Sequence, residues 1–141
     1  MNNEILHKEI DLIQSVITRM ANNSFLLKGW LISLIAVVLA LSKDNWLADK
    51  PILFCLLLSF PILIFWYLDA FFLHRERCFR KLYDWVIQNR ATSNDFLYSL
   101  DFRRFENETI FNVMKSQTLL VFYGLILVVL FIFVGIIVLS A

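Results

Sequence analysis

PILFCLLLSFPILIFWYLDAFFLHRERCFRKLYDWVIQNR, residues 51–90, is the stretch on which the fold turns. It opens as an apolar run fit for lipid, meets one acid at Asp69 and passes through AFFL. It then turns basic over His74, Arg75, Glu76, Arg77, Cys78, Phe79, Arg80 and Lys81. No glycine interrupts it and no proline follows Pro61. The pattern predicts one helix of about 40 residues, roughly 60 Å at a rise of 1.5 Å per residue. That is about twice the hydrocarbon thickness of a bilayer. Half of the rod is expected to span the membrane and half to project into water on the basic side. Pro51 suits the first helical position, where a missing N–H costs nothing. Pro61, in mid-span, is expected to kink or loosen the helix.

Working outward, the chain is an all-α integral membrane protein by composition. Its 141 residues are 60% hydrophobic, with a mean hydropathy of +0.70. Ordinary soluble domains are about 45–50% apolar, and here the excess is gathered into three runs long enough to cross a bilayer. The expected layout is an amphipathic helix over residues 1–23, a first span over 24–42 and an external turn over 43–50. The second span covers 51–73, a cytoplasmic helical region 74–116 and the third span 117–140. No internal repeat or low-complexity tract is present.

Leu6, Ile10, Ile13, Ile17 and Met20 form one apolar face at helical spacing, with Glu4, Lys8, Asp11 and Arg19 largely off it. Such a face can lie on headgroups or pack on protein. Acids and bases are balanced here, whereas surface-lying helices are usually rich in Lys and Arg. Packing against the basic extension of the second helix is therefore the favoured expectation. In the first span, Gly29, Ser33, Ala36 and Ala40 share one face, which would let another backbone approach closely. Trp46, in the short polar turn, suits the headgroup layer. After Arg90, the ATSND segment marks a break. Short helices are expected beyond it, with a continuous lead into the third span from about Glu108. That span, Thr118 to Leu139, carries no charge, and Gly124 and Gly135 share a face on it.

Charge asymmetry sets the expected orientation. The segment between the second and third spans holds Arg75, Arg77, Arg80, Lys81, Arg90, Arg103, Arg104 and Lys115, against only Lys43 and Lys50 in the first connection. The longer segment and the N-terminus are therefore expected in the cytoplasm and the C-terminus outside, in a bacterial inner membrane. On that topology the NNS and NET triplets at Asn22 and Asn107 are not glycosylation sites.

Two charges fall at membrane depth, where each costs about 2.5–3.5 kcal/mol on insertion scales. Counted from the outer turn, Lys28 and Asp69 lie roughly 20 Å and 27 Å along their helices. They can form an interhelical pair that fixes register, line a polar vestibule or gate, or snorkel separately. Glu76 lies two turns from Asp69 on the same face. The basic cluster of Arg75, Arg77, Arg80, Lys81, Arg103 and Arg104 can bind phosphates of a nucleotide or an anionic lipid. The rule that cytoplasmic flanks are basic accounts for it as well.

Other chemistry is thinly represented. Cys55 and Cys78 lie roughly 34 Å apart on one helix, too far to bridge. His7 and His74 have no second ligand at metal spacing, and no phosphate loop exists among 3 glycines. No cofactor is implied and no catalytic set can be assembled, so an enzyme is disfavoured. A net charge of +1 suggests no nucleic-acid binding.

Two blocks, RMANNSFLLKGW (Arg19–Trp30) and FWYLDAFFLHRERCFRKLY (Phe65–Tyr83), resemble those of a family of small bacterial membrane proteins. The helical hairpin with cytoplasmic extensions is also loosely similar to SLATT-type effector domains. That likeness is architectural, covers about residues 5–90 and departs at the third span. It implies a homo-oligomeric pore in bacterial antiphage defence, triggered by a nucleotide signal. The leading expectation is accordingly a pore-forming or channel-like effector gated from the cytoplasm, its first-span small-residue face making close contacts between subunits. The alternative is a membrane-anchored scaffold or accessory subunit that docks a soluble partner.

Overall fold

The computed structural model describes residues 3–41 and 50–140. All the regular structure among them is helical. Helix α1 spans Asn3–Leu41 and α2 spans Pro51–Asn89. A short 3-10 turn follows over Phe102–Phe105, then α3 over Ile110–Met114 and α4 over Gln117–Ser140. Helices α1, α2 and α4 are each long and apolar enough to cross a membrane. The expected external turn and Trp46 lie outside the described residues.

The rod expected from Pro51 is continuous. Pro51 sits in its first turn, and the helix runs through Pro61 to Asn89 without interruption. At Pro61 the amide that would bond the carbonyl one turn back is missing. The far end closes with the Arg90 N–H on the Val86 carbonyl at 3.0 Å.

Two expected junctions differ. The amphipathic segment and the first span are one 39-residue helix, with Asn22, Asn23 and Ser24 inside it. No proline or glycine stands at that junction. The third span lies where it was expected, over Gln117–Ser140, but the lead into it from about Glu108 is not continuous. Thr109 caps α3 by accepting from the Asn112 N–H at 3.3 Å, and the chain breaks again at Lys115–Ser116 before α4. The Trp66 indole donates to the Met114 carbonyl at 3.1 Å, tying the end of α3 to α2. Thr109, whose side chain takes the Asn112 N–H that would otherwise bond back to a preceding turn, starts α3 afresh rather than letting the helix run on from Glu108.

Helices α1 and α2 pair antiparallel along their length, and α4 packs on α2. Two apolar clusters result. One lies among the spans and includes Leu31, Phe54, Leu58, Ile62, Leu119 and Tyr123. The other lies between the charged ends, where Leu6, Ile10, Ile13 and Ile17 meet Phe79, Leu82 and Val86. The N-terminal apolar stripe thus packs on protein. Phe102 and Phe105 of the 3-10 turn close over this second cluster.

A buried ion pair locks the charged end. Arg90 and Glu9 are each 2% exposed. The guanidinium meets the carboxylate fork to fork, Nη2 to Oε1 at 2.6 Å and Nε to Oε2 at 2.7 Å. Arg90 Nη1 also donates to the carbonyls of Ser93 and Asp95, and the Tyr98 N–H donates to Glu9. Phe96, Tyr98 and Leu100 have φ of 58°, 58° and 49°, a left-handed conformation that costs a non-glycine residue about 1–2 kcal/mol. The Glu9 bond to Tyr98 and the Arg104 guanidinium, 3.9 Å from the Phe96 ring centre, hold that segment in place.

Removing one partner of a buried pair leaves an uncompensated charge. Arg90→Met or Glu9→Met alone is expected to destabilise the charged end by about 3–5 kcal/mol. The double change is expected to cost less than either single one. Thermal unfolding of the detergent-purified chain, followed by circular dichroism, measures the difference.

Candidate functional site

The sequence puts one carboxylate into the spans, and the fold converges three helices on it. Asp69 is wholly buried. Its Oδ2 accepts from Lys28 Nζ at 2.5 Å and from the Tyr123 hydroxyl at 3.0 Å, and its Oδ1 accepts from the Ser24 hydroxyl. Ser24 and Lys28 stand one turn apart on α1, so one face of that helix supplies both donors, and Lys28 also donates to Ser24 Oγ at 2.9 Å. Tyr123 comes from α4 and is wholly buried, its hydroxyl also 3.3 Å from the Phe65 carbonyl. Trp66 stacks flat on Tyr123 with ring centres 5.8 Å apart. The same indole holds α3, so the node touches every helix of the span region.

Lys28 and Asp69 meet in the structure. They are paired with each other, not snorkelling apart. Lys28 retains some exposure, its side chain 22% accessible, with the ammonium 5.8 Å from the centre of the Phe122 ring. Asp69 has none. A group enclosed this way registers the helices against one another, because a slip of one turn in any of them strands a charge or a donor in apolar surroundings.

The expected basic patch is not assembled as a single anion site. The Arg75 guanidinium lies 4.2 Å from the Phe102 ring centre and 5.1 Å from that of Phe71. Arg77 pairs with Glu108 at 3.0 Å, and Arg80 with Glu76 at 2.7 Å. Arg104 sits over Phe96 and Trp85. Arg103 is exposed and Lys81 half-buried. Arg75, Arg77 and Arg104 fasten the 96–108 segment to α2, whereas the Arg80–Glu76 pair lies within α2. Glu76, committed to Arg80, does not join Asp69 in a charged stripe.

The small residues face away from the bundle. A Cβ added at Gly29 would meet nothing within 4 Å. Ser33 turns its hydroxyl back onto the Gly29 carbonyl at 2.9 Å, and Ala36 and Ala40 are exposed. Within one chain, α1 instead presents Ser24, Leu27, Lys28 and Leu31 to its neighbours.

Sequence reasoning missed Ser24 and Tyr123. Ser24 appeared only as part of a glycosylation triplet, although its place one turn before Lys28 was a signal. Tyr123 is the lone tyrosine of the charge-free third span, a ring that needs a partner for its hydroxyl once buried. His74 is also buried, with Nε2 2.7 Å from the Glu108 carbonyl and Nδ1 without a partner among the described residues. No metal-binding group of three His, Cys, Asp or Glu side chains occurs among those residues.

Lys28→Met is expected to cost about 3–5 kcal/mol by leaving the Asp69 charge unpaired, and Lys28→Met with Asp69→Asn to recover much of it. Tyr123→Phe is expected to cost about 1–2 kcal/mol through one lost bond to a charged group. Thermal unfolding in a single detergent ranks the three. Cys78 offers a separate check beyond the spans. Burial, then the Glu106 charge, push its thiol above its ordinary value despite Lys81 and Arg75. Because the thiolate is the reactive form, maleimide labelling at neutral pH is expected to lag a free cysteine and to rise steeply only in alkaline buffer. No protein-family model, curated protein or solved structure matches this chain, so its functional reading rests on its own geometry.

Proposed function

We propose that this chain is a membrane-anchored scaffold or accessory subunit that docks a soluble partner on a cytoplasmic helical platform. One observation carries the reading. The two charges within the spans are turned on each other inside the bundle, while the outward faces of α1, α2 and α4 are apolar, from Phe25 and Ile32 to Leu56, Val128 and Ile136. A single chain built this way offers lipid a greasy exterior, and among its described residues no row of polar side chains runs through the spans. What lies beyond the spans is different in kind. It is a rigid hairpin of two helix ends, braced by Glu9–Arg90 and displaying Leu12, Ile87, Phe96 and Tyr98 among charged side chains. The excess of Lys and Arg on that side supports a cytoplasmic location in a bacterial inner membrane.

A second reading, the pore-forming homo-oligomer gated from the cytoplasm, is favoured by the open face of Gly29, Ser33, Ala36 and Ala40. It is the least bulky strip on the exterior of the spans and allows close approach of a second copy. In such an assembly a nucleotide signal or partner at the platform would tilt α2 about Pro61. The setting would then be antiphage defence.

Full-length protein reconstituted into dye-loaded vesicles separates the two. The scaffold reading expects vesicles that stay ion-tight at high protein loading. It also expects a stoichiometric soluble partner in detergent pull-downs, lost when Leu12 and Tyr98 are both changed to Asp. Reproducible conductance from the purified chain would overturn it in favour of the pore.

A further inference from the structure

Helices α1 and α4 each pack on α2 but scarcely on one another. The gap between them is a crevice of about 370 Å³, walled by Ile32, Ile35 and Leu39 on one side and by Ile126, Val129 and Phe133 on the other. Leu58 and Ile62 of α2 form its floor. Its volume falls in the range of ligand clefts, about 300–1,000 Å³. Such clefts normally include a few polar groups that orient the ligand, and this one is lined by apolar side chains throughout.

We infer that this crevice is a binding site for one acyl chain of a bilayer lipid. Three features select that occupant. The crevice opens sideways between two helices that are apolar enough to cross a membrane, so what reaches it is hydrocarbon. It runs about 12 Å along α4, from Leu125 to Phe133, close to the roughly 15 Å depth of one leaflet's hydrocarbon. Its ten lining side chains are all apolar and present no polar group to orient a headgroup or water. At its inner end, one turn before Ile32 and Ile126, Lys28 and Phe122 stand close together and narrow the gap. The tail is therefore stopped short of the Asp69 node, which stays dry. The site needs the chain to be embedded in a bilayer but not either of the two functions above.

The test uses full-length protein in vesicles of phosphatidylethanolamine and phosphatidylglycerol, doped with a phosphatidylcholine that carries a photoreactive diazirine in its tail. After illumination, adducts are mapped by peptide mass spectrometry. Adducts at Ile35 and Ile126 are expected to exceed those at the outward-facing Leu56 and Ile136 roughly tenfold, the ratio that about two more buried methylenes would give. Ile35→Trp, which fills the crevice, is expected to remove the adducts at Ile126 while leaving those at Leu56. Val129→Phe fills it from the opposite wall should the first variant fold poorly. Even labelling of all four positions would overturn the inference. Release of the protein by an alkaline carbonate wash would sink membrane embedding itself, whereas retained protein with even labelling would sink the lipid site alone.

Discussion

A carboxylate enclosed by apolar helices must find its donors there, since neither hydrocarbon nor a packed core supplies any. Asp69 sets this demand, and the arrangement of the spans is its solution. Ser24 and Lys28 answer from α1 and Tyr123 from α4, so the two neighbours of α2 are held at one height. Apolar contacts alone would not do this, because helices in lipid gain little from burying one greasy face rather than another. The node supplies the specificity and the surrounding leucines and isoleucines the close packing.

The charged end repeats the logic with different parts. Glu9 and Arg90 are as deeply enclosed as Asp69, and they bring together chain segments 81 residues apart in sequence. Around them, arginines lie on aromatic rings and hold a connection whose backbone is locally unfavourable. One polar centre stands near the middle of the α1–α2 pair, among the spans, and the other at its charged end. Between them α1 and α2 pair mainly through apolar side chains, with Gln14 donating to the Tyr83 hydroxyl at 3.2 Å, and both helices cross the junction unbroken.

Much of this was legible from residue order. The long rod from Pro51 follows from the lack of breakers, and the Lys28–Asp69 pair from the rarity of charge in an apolar run. The packing of Ile10 and Ile13 follows from their spacing. What escaped was set by contacts between distant segments. A serine, a tyrosine and a glutamate that look ordinary along the chain become decisive only when another helix brings them a partner. The joining of 3–22 to the first span was hidden for a related reason. Ser24 stands inside the continuous helix, where Asp69 from another helix recruits its hydroxyl. The basic residues allowed two readings along the chain, a phosphate site or a basic flank. Only the fold shows Arg77 and Arg80 paired with Glu108 and Glu76, and Arg75 and Arg104 lying on aromatic rings.

The pairing of Lys28 with Asp69 also bears on how the chain enters a membrane during synthesis. The first helix emerges from the ribosome with an ammonium that lipid rejects, and the carboxylate that neutralises it lies 41 residues further along the chain and is made later. Neither helix alone is a good passenger, whereas the two together carry a matched pair. The first two helices should therefore partition as a hairpin, held at the insertion machinery until Asp69 has been made. The third, charge-free and strongly apolar, needs no such companion and closes the bundle last.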